Sequence, residues 1–422
     1  MRATIRYHFS EKKLNDYIVF LIIAFVFFMN VSEKVSTLLL VTLFILSLVN
    51  VKQFNYQKFK PISFLVVLLS IYILTHILID DVFSVKTIEK RVSLLALPIV
   101  FSIASISEKT FYIICKFFVY GVILGCILNL LEPFVNDFNW DTYKFLEIEN
   151  KKKIVFKGSQ RWMNHFYSIH FSNFLDRSYY GVYLSLGIAI IWHILSWKII
   201  QKIALITFFI IHIFLSNSLM GILGLGTVFF FAVFNYRRAY VLFLLPLFFI
   251  VATLISSRFL DYISQTWTYM NGVESIPKDF LRYRWEMWKG SVELISEQPL
   301  WGYGKEGFDV AFNARMHKNV GWSYNILDNV GFNSHNQYLQ VFGEAGIFGF
   351  LGYLVVIAIY IINIMRQRTD YKYLKYSFIF LILIFSCSES ILNRYFGISF
   401  FTFFYCFFLV NNSLERKNCY FC

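Results

Sequence analysis

Twelve apolar runs constrain this chain more than any other feature: they lie at about residues 17 to 31, 35 to 51, 62 to 79, 92 to 106, 111 to 131, 178 to 196, 202 to 216, 219 to 235, 239 to 256, 337 to 365, 376 to 391 and 395 to 410. Most approach the length a helix needs to cross a hydrocarbon core of roughly 30 Å. Inside lipid every backbone N–H and C=O must be satisfied within the chain, so runs of this kind span as helices. The expectation is an all-α, polytopic membrane protein with about twelve transmembrane helices. A hydrophobic fraction of 58% against 15% charged residues places the chain in the same class.

Basic residues set the orientation. With the N-terminus in the cytoplasm, Arg2, Arg6, Lys12, Lys13, Lys52, Lys58, Lys60, Lys109, Lys198, Lys202, Arg237, Arg238, Arg366, Arg368, Lys372, Lys375, Arg416 and Lys417 fall inside. The short outer loops hold only Lys34, Lys86, Lys90, Arg91 and Arg394. This asymmetry predicts that both termini are cytoplasmic and that residues 132–177 and 257–335 are outside. Long outer loops in a tightly looped bundle usually carry function. The net charge of +13 is spread over many short loops, which points to topology and anionic-lipid contact and away from nucleic acid. Met1 to Lys13 is basic and polar, and the apolar run after it shows no cleavage pattern, so it is expected to remain as the first span. Cys115, Cys126, Cys387 and Cys406 lie in apolar segments, and the Cys419/Cys422 pair lacks the second ligand pair of a structural zinc site.

The tenth run opens with polar residues, Ser334-His335-Asn336-Gln337. The Ser334/Gln337 spacing fits a capping box, which predicts a helix starting there with His335 in its first turn, kept neutral by the helix terminus. Asn336, Gln340 and Glu344 recur every four residues and share a face, which should point into a cavity because polar groups at membrane depth seldom face lipid. The alternative is a cap followed by helix packing through Gly343, Gly346 and Gly349. Arg177 stands at the entrance of the sixth run, before Tyr179 and Tyr180, where an arginine must pair or serve an anion. The Lys151–Lys153 run reads as a solvated face.

In the second long loop Leu281, Trp285, Trp288, Val292 and Ile295 form a narrow apolar arc, predicting an amphipathic helix that lies on the bundle or in the membrane interface. Arg284 borders this arc, whereas Arg282 projects to the other side. The stretch Gly302-Tyr303-Gly304-Lys305-Glu306-Gly307 formally matches GxGxxG, but no βαβ pattern surrounds it, so the glycines are read as shaping a re-entrant or surface turn. Asp80-Asp81 in a short outer loop is a candidate divalent-cation pair with no third ligand nearby. No zinc-protease, serine-hydrolase or Walker motif is present.

Arg284-x-x-x-Trp288, Pro299-Leu300-Trp301-Gly302-Tyr303-Gly304 with Gly307-Phe308, and His335-Asn336-x-Tyr338-Leu339 with Glu344-x-Gly346-Ile347-x-Gly349 together resemble the shared region of the bacterial O-antigen ligase and polymerase superfamily, over residues 280–350. Asp176-Arg177-Ser178-Tyr179-Tyr180 is similar to the shorter motif such proteins carry before a middle span, with Asp176 where many relatives have histidine. The resemblance implies a membrane glycosyltransferase of the GT-C type at the periplasmic face of the inner membrane. Its donor would be a glycan on undecaprenyl pyrophosphate, and its acceptor a lipid A-core sugar for a ligase or a lipid-linked repeat for a polymerase. A lipid-linked glycan flippase is the alternative of a different class. Carried over residue by residue, the catalytic groups would be His335, Arg177 and Arg284, with Asn336, Glu344, Arg282, Tyr180 and Gln340 at the substrate. Two guanidiniums can neutralise a pyrophosphate leaving group without a divalent ion, so neither metal nor cofactor is expected, and a single displacement inverts the anomeric carbon.

Overall fold

The computed structural model describes residues 11–79, 88–145, 165–167, 171, 175–236, 280–320, 333–366 and 371–410. The described residues are almost entirely helical. The elements are α1 (Glu11–Phe28), α2 (Glu33–Val49), α3 (Tyr56–Ile79), α4 (Ser93–Ile103), α5 (Glu108–Asn136), α6 (Arg177–His193), α7 (Ile199–Ser216), α8 (Leu219–Tyr236), α9 (Phe280–Glu297), α10 (Lys305–Val320), α11 (Gln337–Arg366), α12 (Lys372–Ser386) and α13 (Tyr395–Val410). Phe138–Asn139 pairs antiparallel with Lys144–Phe145 in a two-stranded hairpin after α5. Every apolar run except that at 239 to 256, which lies outside the described residues, carries one of these helices. Among the described residues α3, α5, α7 and α11 are long and apolar enough to cross a membrane, and α4, α8 and α13 are shorter apolar helices.

Burial separates central from peripheral helices in a way that hydrophobicity alone does not. In α13 every residue from Gly397 to Leu409 is buried, as expected for a helix that is apolar all round. Its phenylalanines interlock with neighbours: Phe404 meets Phe118 of α5 at 4.9 Å, and Phe407 stacks on Phe111 at 4.6 Å. By contrast α2 exposes Leu38, Val41, Ile45 and Leu48, leaving apolar surface on its outer side.

Two contacts place the polar ends of the helices near one another. Helix α6 packs on α8 through Gly181 and Gly221, where a Cβ added at Gly181 would lie 2.6 Å from the Gly221 Cα. Small residues let the backbones meet at this distance, a common device between membrane helices. Helix α11 is broken at Ala345 (φ −127°, ψ 16°) and Gly346 (φ 60°, ψ −160°). A break strands backbone groups that a continuous helix would pair, and at membrane depth each must find another partner. The Pro299–Gly304 turn supplies them: Tyr303 N donates to Gly343 O at 2.9 Å, Gly304 N to Glu344 O at 2.9 Å, and Ile347 N to Pro299 O at 3.0 Å. Gly302 and Gly304 take φ of 73° and 71° to do so. The GxGxxG-like stretch is thus a turn that patches a broken helix.

Helices α9 and α10 form a hairpin around Met287, Leu294, Phe308, Phe312 and Met316. Arg315 ties them, reaching Glu293 at 2.9 Å and Glu297 at 2.6 Å. The amphipathic reading of α9 needs correction in its bundle-facing version. The buried face carries Arg284, Met287, Ser291 and Leu294, whereas Trp285 and Val292 of the expected arc are 43% and 54% exposed. Ordinary hydrophobic ranking favoured the tryptophans, but the helix turns its arginine inward because a buried carboxylate awaits it.

Candidate active site

The start of α11 differs from the expected capping box. Asn336 is the cap: its Oδ1 accepts from Tyr338 N at 3.0 Å and Leu339 N at 3.1 Å. Ser334 is already engaged, its N–H and its hydroxyl lying 2.9 and 2.8 Å from Gln340 Oε1. Gln337 turns away and accepts from Leu392 N at 2.7 Å. His335 therefore precedes the helix, in the left-handed region at φ 44°, a conformation histidine tolerates better than most residues. The helix-terminus argument for a neutral ring does not apply to a residue in this position.

What His335 faces is Glu389, in the turn that follows α12. Glu389 Oε2 lies 3.0 Å from His335 Nδ1. Its Oε1 accepts from Arg284 at 2.9 Å and from the Ser178 hydroxyl at 2.9 Å. Glu389 and Arg284 are only 6% and 7% exposed, so the ion pair is shielded from solvent, while the His335 side chain remains 22% exposed. Burial pushes the Glu389 carboxyl up. The hydrogen bond and charge of His335, the Arg284 guanidinium and the Ser178 hydroxyl outweigh it and hold the carboxyl well below the usual range. A carboxylate on Nδ1 fixes the imidazole tautomer and leaves Nε2 as the site for a proton.

Arg177 opens α6, partly buried and adjacent to Ser178, so the shorter motif and the Arg284 helix converge on one carboxylate. Asp176 caps α6 through Ser178 N at 3.0 Å and reaches Arg394 at 3.5 Å, adding a half-exposed guanidinium at the rim. Tyr180 does not join this group. Its hydroxyl is buried between His212 Nδ1 at 2.8 Å and Cys126 Sγ at 3.2 Å, which suits packing among α5, α6 and α7. The side chain of Arg282 lies outside the described residues, as do Asp80, Asp81, Cys419, Cys422 and the three lysines of the first loop.

Glu344 belongs to a separate polar group. It is 1% exposed and pairs with Arg91 at 2.5 Å, with Lys305 at 3.7 Å and with Gln340 Nε2 at 2.6 Å. Arg91 also lies 3.9 Å over the Tyr72 ring and donates to Asn393 Oδ1 at 3.2 Å. Lys305 bonds Asp309 one turn on in α10, where burial first, and Glu344 with it, raises the Asp309 carboxyl against the pull of Lys305. Two polar groups thus stand at this end of the bundle, one around Glu389 and one around Glu344. Among the described residues no group of three or more His, Cys, Asp and Glu side chains is arranged to hold a metal ion.

Glu389 and Arg91 stand outside the motifs that the sequence displays. A signal existed for Glu389: it is the acidic residue of an otherwise apolar run, and such residues are functional candidates by default. Arg91 was counted only as a loop charge.

Residues 203–354 match the family model described as O-Antigen ligase. An uncharacterized protein of Haemophilus influenzae is 32% identical over 75 residues, which is 18% of this chain and 18% of that protein. The family match takes in Arg284, His335 and Glu344, and stops short of Glu389.

Proposed function

We propose that this chain, whose residues 203–354 match the O-Antigen ligase family model, works as a member of that superfamily and transfers a glycan from undecaprenyl pyrophosphate to a sugar hydroxyl of a lipid A-core acceptor at the periplasmic face of the inner membrane. The observation that carries the reading is the meeting of His335, Arg284 and Ser178 on the buried Glu389 carboxylate. The acceptor oxygen forms a bond to the anomeric carbon as the bond from that carbon to the pyrophosphate oxygen breaks. His335 Nε2 takes the hydroxyl proton, while Nδ1–H stays on Glu389. Undecaprenyl pyrophosphate leaves with the bonding electrons, and negative charge grows where Arg284 and Arg177 can donate to it. Attack from the face opposite the leaving group inverts the anomeric configuration. Asn336, as the helix cap, fixes where His335 emerges.

The glycan profile of a deletion strain carrying wild type or His335→Ala tests this reading, with surface glycan and the lipid-linked pool analysed separately. Long chains stranded on the carrier in the His335→Ala strain are the result expected of a ligase. Single repeats on both carrier and surface would make the enzyme a polymerase, and an unchanged profile would remove His335 from the chemistry. Transfer by purified protein without an energy source separates both from a flippase.

A further inference from the structure

Gln340 is fully buried, and both ends of its amide are in use. Oε1 takes the Ser334 N–H at 2.9 Å and lies 2.8 Å from the Ser334 hydroxyl and 3.4 Å from that of Ser390, while Nε2 donates to Glu344 Oε1 at 2.6 Å. Ser334 and Ser390 are the chain neighbours of His335 and Glu389. Asn333 Oδ1 closes the other side, accepting from His335 N at 2.8 Å and the Ser390 hydroxyl at 3.2 Å. Gln340 therefore joins the segment carrying the imidazole to the segment carrying its carboxylate, and fastens both to Glu344.

Glu344 in turn is held by groups from two other parts of the fold. Arg91 comes from the turn before α4 and Lys305 from α10, and Arg91 reaches on to Leu392 O at 3.4 Å and Asn393 Oδ1 beyond Glu389. Removing ionised groups from water is costly, and apolar replacements of such pairs are often neutral or stabilising. A buried cluster of this kind is better explained by the geometry it enforces than by stability.

We propose that Gln340 is a positioning residue that couples the Arg91–Glu344–Lys305 cluster to the His335–Glu389 pair, and that it is not a sugar ligand. This rests on the transferase reading above. A sugar ligand must offer donor or acceptor capacity at a surface the sugar can reach, whereas Gln340 is fully buried, with its Oε1 on Ser334 and one of its two Nε2 hydrogens on Glu344. Misplacing a reacting group through a remote change costs about a hundredfold in rate, so the loss should fall on turnover and leave ground-state binding in place.

The test compares wild type, Gln340→Met, Ser334→Ala and His335→Ala, purified in lipid nanodiscs, with a defined lipid-linked donor and acceptor. Gln340→Met should lower kcat about a hundredfold with donor and acceptor KM held within about twofold. Ser334→Ala removes one bond to Oε1 and keeps the backbone one, so it should lower kcat by a smaller factor, again without moving KM. A raised KM at unchanged kcat in either variant would make Gln340 or its neighbour a substrate contact and overturn the proposal. Wild-type kinetics in both would overturn it as well. If Gln340→Met does not fold, Ser334→Ala decides alone. Full activity of His335→Ala would instead sink the transferase reading, which is how the two failures are told apart.

Discussion

The His335 imidazole and the Glu389 carboxylate meet at 3.0 Å, Nδ1 to Oε2, across 54 residues of chain. The pairing gives the ring an orientation and a tautomer that a surface histidine lacks. Glu389→Gln preserves size and some hydrogen bonding but loses the charge, and its amide can present a donor to Nδ1. Turnover should fall about a hundredfold or more, in line with the loss of a positioned base, with little change in KM. Initial rates on a lipid-linked donor check this, and wild-type turnover would separate His335 from Glu389 functionally.

Arg284 donates to Glu389 at 2.9 Å, and its planar guanidinium has the geometry that matches a carboxylate or a phosphate. Lysine keeps the charge and loses the planar geometry. Arg284→Lys should therefore lose most turnover, whereas Arg282→Lys, which helical spacing in the sequence assigns to the other side, should retain it. Equal tolerance of the two changes in a complementation assay would remove the pyrophosphate clamp.

The break in α11 and its patch predict where the fold is intolerant. Gly346 and Gly302 both have positive φ, a Cβ on Gly346 would fall on the Leu300 carbonyl, and one on Gly302 would lie 2.6 Å from Gly346 N. Alanine at either should cost about 2 kcal/mol or more, since neither the dihedral nor the backbone contact can relax cheaply. Gly352→Ala is the control, because its nearest neighbour is the Ile71 side-chain tip at 3.0 Å. Thermal unfolding in detergent should show large drops for the first two and a small one for the third.

The proposed displacement uses two guanidiniums and an imidazole and calls on no metal ion. Transfer by purified protein should survive EDTA. A collapse restored by Mg²⁺ or Mn²⁺ would bring Asp80 and Asp81 to the front.

Among the described residues helix positions were legible because apolar runs of span length have few other fates. The motif residues His335, Arg284 and Ser178 do come together on one carboxylate. Which carboxylate was not legible. Glu344 lies on the helix that His335 precedes, but the chain breaks one residue after it and Glu344 pairs with Arg91. Glu389 lies two elements downstream, and only tertiary packing brings it across. The same packing decides which side of α9 meets the bundle, since local amphipathicity ranks Trp285 above Arg284 and cannot see a buried partner.

Glu389 also sets a pH dependence whose sign can be worked out. It lies in the turn after α12, outside the helices, and burial acting alone would raise its carboxyl. Its contacts with His335, Arg284 and Ser178 hold it below the usual range instead. A carboxyl with a lowered folded-state value contributes stability that is fully present above its unfolded value, about 4.3, and is lost as pH falls through the folded one. Glutamine at this position cannot make that contribution. The Tm gap between wild type and Glu389→Gln should therefore still be open at about pH 5 and begin to close only below about pH 4. If burial dominated, the gap would already be closing between about pH 7 and 5, and the ion pair with Arg284 would no longer account for the burial of this carboxylate.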